Sequence, residues 1–246
     1  MDNYEFCVRW IAERKGGRKL TVLDYGCGAG QIVKGLRQQG IDAFGCDVFY
    51  DGGSYESAVD RELLGQVIFP MDANTNVIPF PDGTFDLVVS NQVMEHVPDL
   101  DRVLAEIHRV MKPGAQVLSL FPDRSVWREG HVGIPFLHWF PKRSAFRVHY
   151  AATLAALGLG YFRQGRSPMN WSREMCSWLD QWTHYRTLDD IHGAFARRFV
   201  AIGHIEEEWL GKRLEHRKSL VAIVPVAFRR FVVRKLAGLV FTASKP

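Results

Sequence analysis

The chain has 246 residues, 47% of them hydrophobic, a length and composition that suit one α/β domain with a full core. Its net charge of +4 is uneven, because residues 1–120 carry 11 basic and 17 acidic side chains whereas residues 121–246 carry 20 and 10. The four widely separated cysteines exclude a C-x-x-C zinc pattern and a disulfide framework, and with an N-terminus unlike a signal peptide they favour the cytoplasm.

A helix is predicted over residues 4–15, followed by a strand, a glycine-rich turn and a second helix. The apolar run from Leu20 to Leu23 predicts a buried strand that ends at Asp24. The turn is built from small residues, namely Gly26, Cys27, Gly28 and Gly30. A strand, a glycine turn and a helix in this order place a small ligand at the carboxyl ends of the strands in an open α/β sheet.

The charge of Asp24 indicates which ligand this turn binds. A dinucleotide would place an anionic pyrophosphate there, and a carboxylate at the mouth of the turn would repel it. S-adenosylmethionine instead carries an ammonium and a sulfonium and no phosphate. The glycines run G-x-G-x-G, with Gln31 rather than a third spaced glycine. An NAD-linked oxidoreductase on the same fold remains the alternative, disfavoured by Asp24 and Gln31.

The stretch V-L-D-Y-G-C-G-A-G resembles the nucleotide-binding motif of class I S-adenosylmethionine-dependent methyltransferases, in the small-molecule branch with the ubiquinone-biosynthesis type. Residues 78–86, residues 93–97 and the later L-x-E-I-x-R-V-x-K-P-G-A also resemble this family, over roughly residues 20–121. The resemblance implies S-adenosylmethionine as the cofactor. It also implies a Rossmann-like, seven-stranded, mostly parallel sheet with helices on both faces, and a helical insertion after strand five is expected.

The predicted cofactor residues lie at the ends of the first four strands. Strand two ends at Asp47, which is expected to accept hydrogen bonds from both ribose hydroxyls, or alternatively to cap the next helix. The resemblance implies that Asp72, after strand three, meets the adenine amino group, while Met71 packs on the ring or fills the core. Strand four spans residues 85–91. The full predicted set is Asp24, Gly26, Cys27, Gly28, Gly30, Asp47, Met71, Asp72, Ala73, Asn91 and Gln92.

Glu95 and His96 follow strand four and invite a catalytic interpretation, because histidine titrates near neutral pH. On a helix these two side chains would diverge by about 100°. The resemblance implies that His96 belongs to the wall of the site. A helix over residues 98–111, capped by Asp99, and a strand over residues 115–121 come next.

Residues 122–146 depart from regular pattern and are rich in aromatics and histidine. Glu129 and His131 are candidate bases, with His131 first and His96 second if the acceptor is a hydroxyl; a packed lid is the alternative. Nearby cations, Arg124, Arg128, Lys142 and Arg143, are candidates for holding an acidic or phosphorylated substrate. No cluster has a convincing metal-ligand spacing, so no metal is expected.

Helices are predicted over residues 144–159 and over residues 171–195. The second stretch is rich in aromatic residues that either line a groove or fill the core, namely Trp171, Trp178, Trp182 and Tyr185. The apolar tail of residues 219–241 contains four cations, which argues against a spanning helix. One interpretation makes this tail an interfacial amphipathic helix. The other completes the sheet: a strand over residues 198–206, a helix over residues 220–236 and an antiparallel strand over residues 238–243. The two interpretations are compatible.

The sequence therefore predicts one methyltransferase domain. Residues 1–121 form its cofactor-binding half, residues 122–197 a substrate-side insertion, and residues 198–246 its last strands and helix. The predicted reaction is methyl transfer to a small or lipid- or glycan-linked acceptor, with O-methylation favoured. The basic C-terminal half suggests peripheral membrane contact, or simply a solvated surface. The sequence contains no recognisable nucleic-acid-binding motif, so no nucleic-acid partner is expected. A non-catalytic cofactor-binding partner protein would be expected to show a degraded motif.

Overall fold

A seven-stranded sheet organises the computed structural model, which describes residues 1–50, 56–215 and 224–246. Its strands are β1 (Thr21–Tyr25), β2 (Asp42–Asp47), β3 (Ile68–Pro70), β4 (Phe85–Asn91), β5 (Met111–Phe121), β6 (Val200–His204) and β7 (Leu239–Ser244). The order across the sheet is β3-β2-β1-β4-β5-β7-β6. β7 pairs antiparallel with β5 and with β6, and the other neighbouring pairs are parallel. This is the sheet predicted from the sequence.

The centre of the sheet is formed by β1 and β4, whose side chains are almost all buried. Asp24 pairs in parallel register with Val89, so the two strands end at the same edge. The chain leaves β1 for β2 on one side and returns to β4 on the other. This reversal of strand order opens the crevice in which α/β sheets bind ligands.

Helices cover both faces of the sheet. They are α1 (Asn3–Arg14), α2 (Gln31–Gln38), α3 (Leu100–Val110), α4 (Ala145–Ala156), α5 (Pro168–Trp182), α6 (Leu188–Ala196), α7 (Glu206–Arg213) and α8 (Val226–Leu236). One core packs α3 and α6 against the sheet, and the other packs α1 and α2 on the opposite face. As predicted, Asp99 caps α3 by accepting from Arg102 N at 3.0 Å.

The segment between β5 and β6 forms the helical insertion expected after strand five. Its helices α4 and α5 share a small core of their own, separate from the two that flank the sheet. Trp171 is fully buried in this core, and its Nε1 donates to Tyr161 O at 2.8 Å. Trp171 is therefore a packing residue rather than part of a groove.

The C-terminal segment supplies the last two strands. The antiparallel strand predicted over residues 238–243 is present as β7, and the preceding strand is present as β6. The helix predicted over residues 220–236 begins at Val226 in the structure, and its first predicted residues, up to 223, lie outside the described part of the chain. Among the described residues, no helix combines the length and apolar character needed to cross a bilayer.

Candidate active site

Two glycines of the turn after β1 have no room for a side chain. Gly26 has a φ of +75°, and a Cβ there would lie 2.3 Å from Cγ2 of Val93. Gly30, with a φ of +77°, would place a Cβ 2.4 Å from Cδ1 of Ile68. Because L-residues disfavour this backbone region and the space is already filled, both positions require glycine.

Gly26→Ala is expected to lower the free energy of unfolding by about 2–5 kcal/mol. About 1–2 kcal/mol comes from the left-handed backbone and about 1–3 kcal/mol from overpacking against Val93. Gly65→Ala is the matched control, because Gly65 has a φ of +76° and a Cβ added there would meet no atom within 4 Å. Urea unfolding measures both; equal losses in the two variants would contradict the packing argument.

Two carboxyl groups stand at the ends of β1 and β2. Asp24 is only 2% exposed, and burial followed by the charge of Asp47 raises its pKa well above the usual range. Asp47 Oδ2 accepts from Gly28 N and Oδ1 from Phe49 N, both at 2.8 Å, while burial raises its pKa. These bonds tie β2 to the glycine turn. A cationic ligand would stabilise the charged form of Asp24.

Other predicted cofactor residues surround this crevice. Met71 is nearly buried, and its N donates to Asp47 O at 2.8 Å, which fixes β3 beside β2. Asp72 and Ala73 are exposed at the end of β3. Oδ1 of Asp72 accepts from Asn74 N at 2.8 Å and so closes a local turn. The adenine contact expected for Asp72 would be made from this turn.

The end of β4 carries Asn91 and Gln92. Asn91 Oδ1 accepts from Asn3 Nδ2 at 3.3 Å, so its side chain is directed to the start of α1. Gln92 is exposed and adopts a φ of +58°, while its N donates to Leu120 O at 2.7 Å. The Gln92 side chain turns towards β5 instead, where its Nε2 donates to Leu120 O at 3.4 Å.

Glu95 and His96 lie in a turn, which corrects the expectation that a helix would separate them. His96 N donates to Val93 O at 2.8 Å, and α3 begins only at Leu100. Because the backbone turns here instead of continuing as a helix, both side chains reach the same place. Ligand atoms of Glu95, His96 and His131 lie within 4.8 Å of one another.

Glu129 organises the His131 side of this cluster. Its buried Oε1 accepts from Nδ1 of His131 at 2.7 Å and from the Tyr185 hydroxyl at 2.6 Å. Its Oε2 accepts from Val132 N at 2.7 Å. Burial alone would lower the pKa of His131, but the hydrogen bond and charge of Glu129 outweigh it and raise that pKa.

His96 completes the cluster from the β4 side. Its Nδ1 donates to Trp182 O at 2.7 Å, and its Nε2 lies 3.1 Å from Nε2 of His131. Burial and the neighbouring His131 lower the pKa of His96 to about 4. Glu95 is 1% exposed, neither of its carboxylate oxygens has a hydrogen-bond partner among the described residues, and burial raises its pKa to about 7.

Aromatic rings enclose the cluster. The Trp178 ring lies 5.3 Å from His131, and the Tyr50 ring, which follows β2, lies 5.7 Å from His96 and 4.8 Å from Trp182. Rings from the segments that follow β2 and β4 and from α5 therefore meet around a polar centre, at the edge of the sheet where the parallel strands end. Such a lining suits a flat, partly apolar ligand with one or two polar groups.

Two of the four cations predicted to hold an anionic substrate make contacts within the insertion. Lys142 Nζ donates to Asp180 O at 2.8 Å and to Thr183 O at 2.6 Å. The Arg128 guanidinium lies 4.9 Å from the centre of the Tyr161 ring. Arg124 and Arg143 are exposed. The structure thus brings His131 and Glu129 to the site but gives at least Lys142 and Arg128 structural contacts.

The chain is similar in sequence and in fold to known methyltransferases. The family profile described as "Methyltransferase domain" matches residues 23–119. The ubiquinone biosynthesis O-methyltransferase of Pseudomonas aeruginosa is 31% identical over 177 residues, 68% of each chain. The ubiquinone biosynthesis O-methyltransferase of Pseudomonas paraeruginosa is 36% identical over 114 residues. This match covers 45% of the present chain and about half, 47%, of the relative's length. An S-adenosylmethionine-dependent methyltransferase from Mesorhizobium loti superposes with a TM-score of 0.54 at 15% identity, covering 99% and 100% of the two chains.

Proposed function

Because the chain belongs to the class I S-adenosylmethionine-dependent methyltransferases, we propose that it methylates a hydroxyl of a quinone-like or lipid-linked acceptor held at the Glu95–His96–His131 cluster. The family, fold and cofactor predicted from the sequence are confirmed. An NAD-linked oxidoreductase and a non-catalytic partner protein are not favoured. The acceptor and the roles of individual residues are the substance of the proposal.

The observation that carries it is the meeting of two groups of residues at one edge of the sheet. Asp24 and Asp47 stand at the ends of β1 and β2. The histidine cluster follows β4 and is closed by the insertion of residues 122–197. Residues 1–121 would thus hold the cofactor and the insertion the acceptor, so that the reacting groups meet between them.

The residues at the cofactor side fit S-adenosylmethionine. That group, when bound, supplies a methyl carbon on a positively charged sulfur. Buried Asp24 would pair with its ammonium, and Asp47, already fixed by Gly28 N, would accept from the ribose. Asp72 and Met71 would contact the adenine, and Gln92 would border the methyl group. An anionic pyrophosphate would meet two carboxylates here, which explains the preference for this cofactor.

The residues at the acceptor side suit a hydroxyl. The oxygen of a hydroxyl must lose its proton as the new bond to carbon forms, and this loss would depend on His131, with His96 beside it. Glu129 holds His131 in one orientation through a 2.7 Å bond. Trp178 and Tyr50 would flank the acceptor ring and exclude water.

The similarity to ubiquinone biosynthesis O-methyltransferases supports a hydroxylated aromatic ring, and the aromatic lining suits its flat shape. A glycan-linked acceptor is the second candidate from the sequence. Purified protein with methyl-labelled S-adenosylmethionine, added separately to membrane and soluble extracts, distinguishes them. Label in a quinone-like lipid supports the proposal. Label confined to water-soluble compounds would contradict the lipid acceptor, and no transfer with cofactor bound would contradict the activity.

Peripheral membrane contact is the second part of the proposal and rests on α8. Its inner face buries Val233 in the core and forms two ion pairs, Arg229 with Glu207 and Arg234 with Glu206. Its outer face exposes Phe228 (58%) and Phe231 (48%). A helix with aromatic side chains outward and further cations along it would lie at an anionic bilayer surface. The four free, buried cysteines fit a protein in the reducing cytoplasm.

Phe228→Ala is expected to weaken binding to vesicles of anionic phospholipid by roughly 10-fold or more, because burying one phenylalanine contributes about 1.5–3 kcal/mol. Phe146→Ala is the matched control, since Phe146 is as exposed, at 65%, but lies on α4. Vesicle flotation measures both. Equal binding of the two variants and the parent protein would remove α8 from membrane contact.

Cofactor binding is expected to weaken as the pH falls. The raised pKa of Asp24 in the free protein means that this carboxyl takes up a proton when the pH drops through that value. A cationic ligand needs the carboxylate, so each pH unit below the raised pKa lowers affinity by at most about tenfold. Calorimetry with S-adenosylhomocysteine from pH 5 to 8 tests this; an affinity independent of pH would contradict it.

A further inference from the structure

When both rings are neutral, the contact between His96 and His131 brings two lone pairs face to face. Trp182 O can only accept, so Nδ1 of His96 carries its hydrogen. The Glu129 carboxylate likewise accepts from Nδ1 of His131. A neutral imidazole has one N–H, which leaves both Nε2 atoms as acceptors, yet they lie 3.1 Å apart. Two acceptors this close require a positive charge between them.

Glu95 adds a third electron-pair donor at the same point. It is 1% exposed, and both of its oxygens lack a hydrogen-bond partner among the described residues. Burying a carboxylate without hydrogen bonds is costly unless a cation compensates it. Glu95 reaches within 4.8 Å of the two imidazole nitrogens. With both rings neutral and Glu95 ionised, the cluster thus combines two lone pairs and one negative charge.

We propose that Glu95, His96 and His131 bind a divalent transition-metal ion of the Zn²⁺ class. Two imidazole nitrogens about 2.0–2.1 Å from a tetrahedral ion are about 3.3 Å apart, close to the 3.1 Å seen here. Their other nitrogens are held by a carboxylate and a backbone carbonyl, the partners that orient metal-binding histidines. Two imidazoles and one carboxylate suit Zn²⁺, Fe²⁺ or Co²⁺ better than Mg²⁺ or Ca²⁺.

Spacing along the chain does not reveal this site, because His131 is 35 residues from His96. The expectation of no metal considered only ligands close in sequence. The insertion brings His131 back to the β4 turn, and Glu129 fixes its ring there. The metal site therefore exists only in the folded chain.

The inference rests on the proposed function and changes how His131 acts. Three protein ligands would leave a fourth position open for the acceptor hydroxyl. A hydroxyl bound to the ion gives its proton to water more readily. Its oxygen then forms the bond to the methyl carbon while the carbon–sulfur bond breaks, and the electron pair stays on the sulfur.

Titration of the metal-free chain of 246 residues with Co²⁺ alone tests the site without any turnover. We expect one Co²⁺ per chain with the visible absorption of a tetrahedral or five-coordinate ion. Glu95→Gln keeps the shape of the side chain and should weaken Co²⁺ binding at least tenfold, as should His131→Ala. Glu129→Gln should weaken it roughly 10- to 100-fold through the orientation of His131.

His192→Ala is the matched control. His192 Nε2 lies 2.8 Å from Nε2 of His204 at the β6 edge, so the variant removes a similar histidine pair elsewhere. It should bind Co²⁺ as the parent protein does. Binding that is unchanged in Glu95→Gln and His131→Ala would overturn the proposal, as would a parent protein that binds no Co²⁺; a shared proton would then separate the two nitrogens. S-adenosylhomocysteine affinity, measured in parallel, reports the cofactor site independently.

Discussion

Replacing Asp24 by asparagine is expected to weaken S-adenosylhomocysteine binding roughly 10- to 100-fold. The carboxylate is 2% exposed at the end of β1, so a hydrogen bond from a ligand ammonium would be little screened by water. Hydrogen bonds to charged groups contribute about 1.5–3 kcal/mol, which corresponds to this range. Asparagine keeps the volume and removes the charge. Calorimetry measures the dissociation constant directly.

The same variant should change two further properties. Burial and the charge of Asp47 hold the pKa of Asp24 high, so unliganded protein with asparagine there avoids the cost of burying that charge. Its stability should therefore equal or exceed that of the parent above the raised pKa. Its cofactor affinity should also become less dependent on pH.

Asp42→Asn is the control for a general effect of charge. Asp42 is exposed at the opposite end of β2, away from the crevice. It should bind S-adenosylhomocysteine like the parent protein. Equal affinity of Asp24→Asn and the parent would exclude Asp24 from the cofactor site and would remove the electrostatic reason for choosing this cofactor over a dinucleotide.

The elements of residues 1–121 were largely predictable because their sequence signals are local. Strand four was predicted over residues 85–91 and occupies Phe85–Asn91, since a central parallel strand is a continuous apolar run with polar ends. Asp99 was predicted as the cap of α3 and is its cap. The apolar runs, turn residues and capping residues that specify these elements all lie within a few residues of them.

The histidine cluster was only partly predictable. His131, Glu129 and His96 were identified as chemistry-bearing residues, but their meeting depends on contacts between segments 35 residues apart. Tyr185, 56 residues from Glu129, was known only as an aromatic of the insertion. Such contacts are set by how the insertion folds back on the sheet, which no short sequence pattern specifies.

The error over Glu95 and His96 has a local cause that the sequence did contain. A helix capped by Asp99 begins at Leu100, so residues 93–97 precede it and lie in the connection from β4. Pro98 also disfavours helical backbone at the residue before it. A helix would direct the side chains of Glu95 and His96 apart, whereas the turn brings them together. The helical prediction therefore missed the proximity of Glu95 to the two histidines.

His131→Ala is expected to lower the rate of methyl transfer by about 10²–10⁴-fold while S-adenosylhomocysteine binds as before. His131 comes from the insertion, whereas the proposed cofactor residues lie at the ends of β1 to β4, so its loss acts on the acceptor side. The large effect follows whether His131 takes the proton itself or holds the ion that activates the hydroxyl. Labelled cofactor with the identified acceptor measures the rate, and His131→Gln guards against a packing defect.

Glu129→Gln distinguishes the orientation of the His131 ring from the role of that ring in the reaction. Glutamine keeps the shape but weakens the bond that orients His131, so it should slow transfer less than removal of His131 does. His192→Ala, at the distant histidine pair, should leave the rate unchanged. Parent-like turnover in His131→Ala would remove this residue from the mechanism and would return Glu129 and His131 to the alternative weighed from the sequence, a packed lid. Loss of cofactor binding in the same variant would instead place the insertion in the cofactor site.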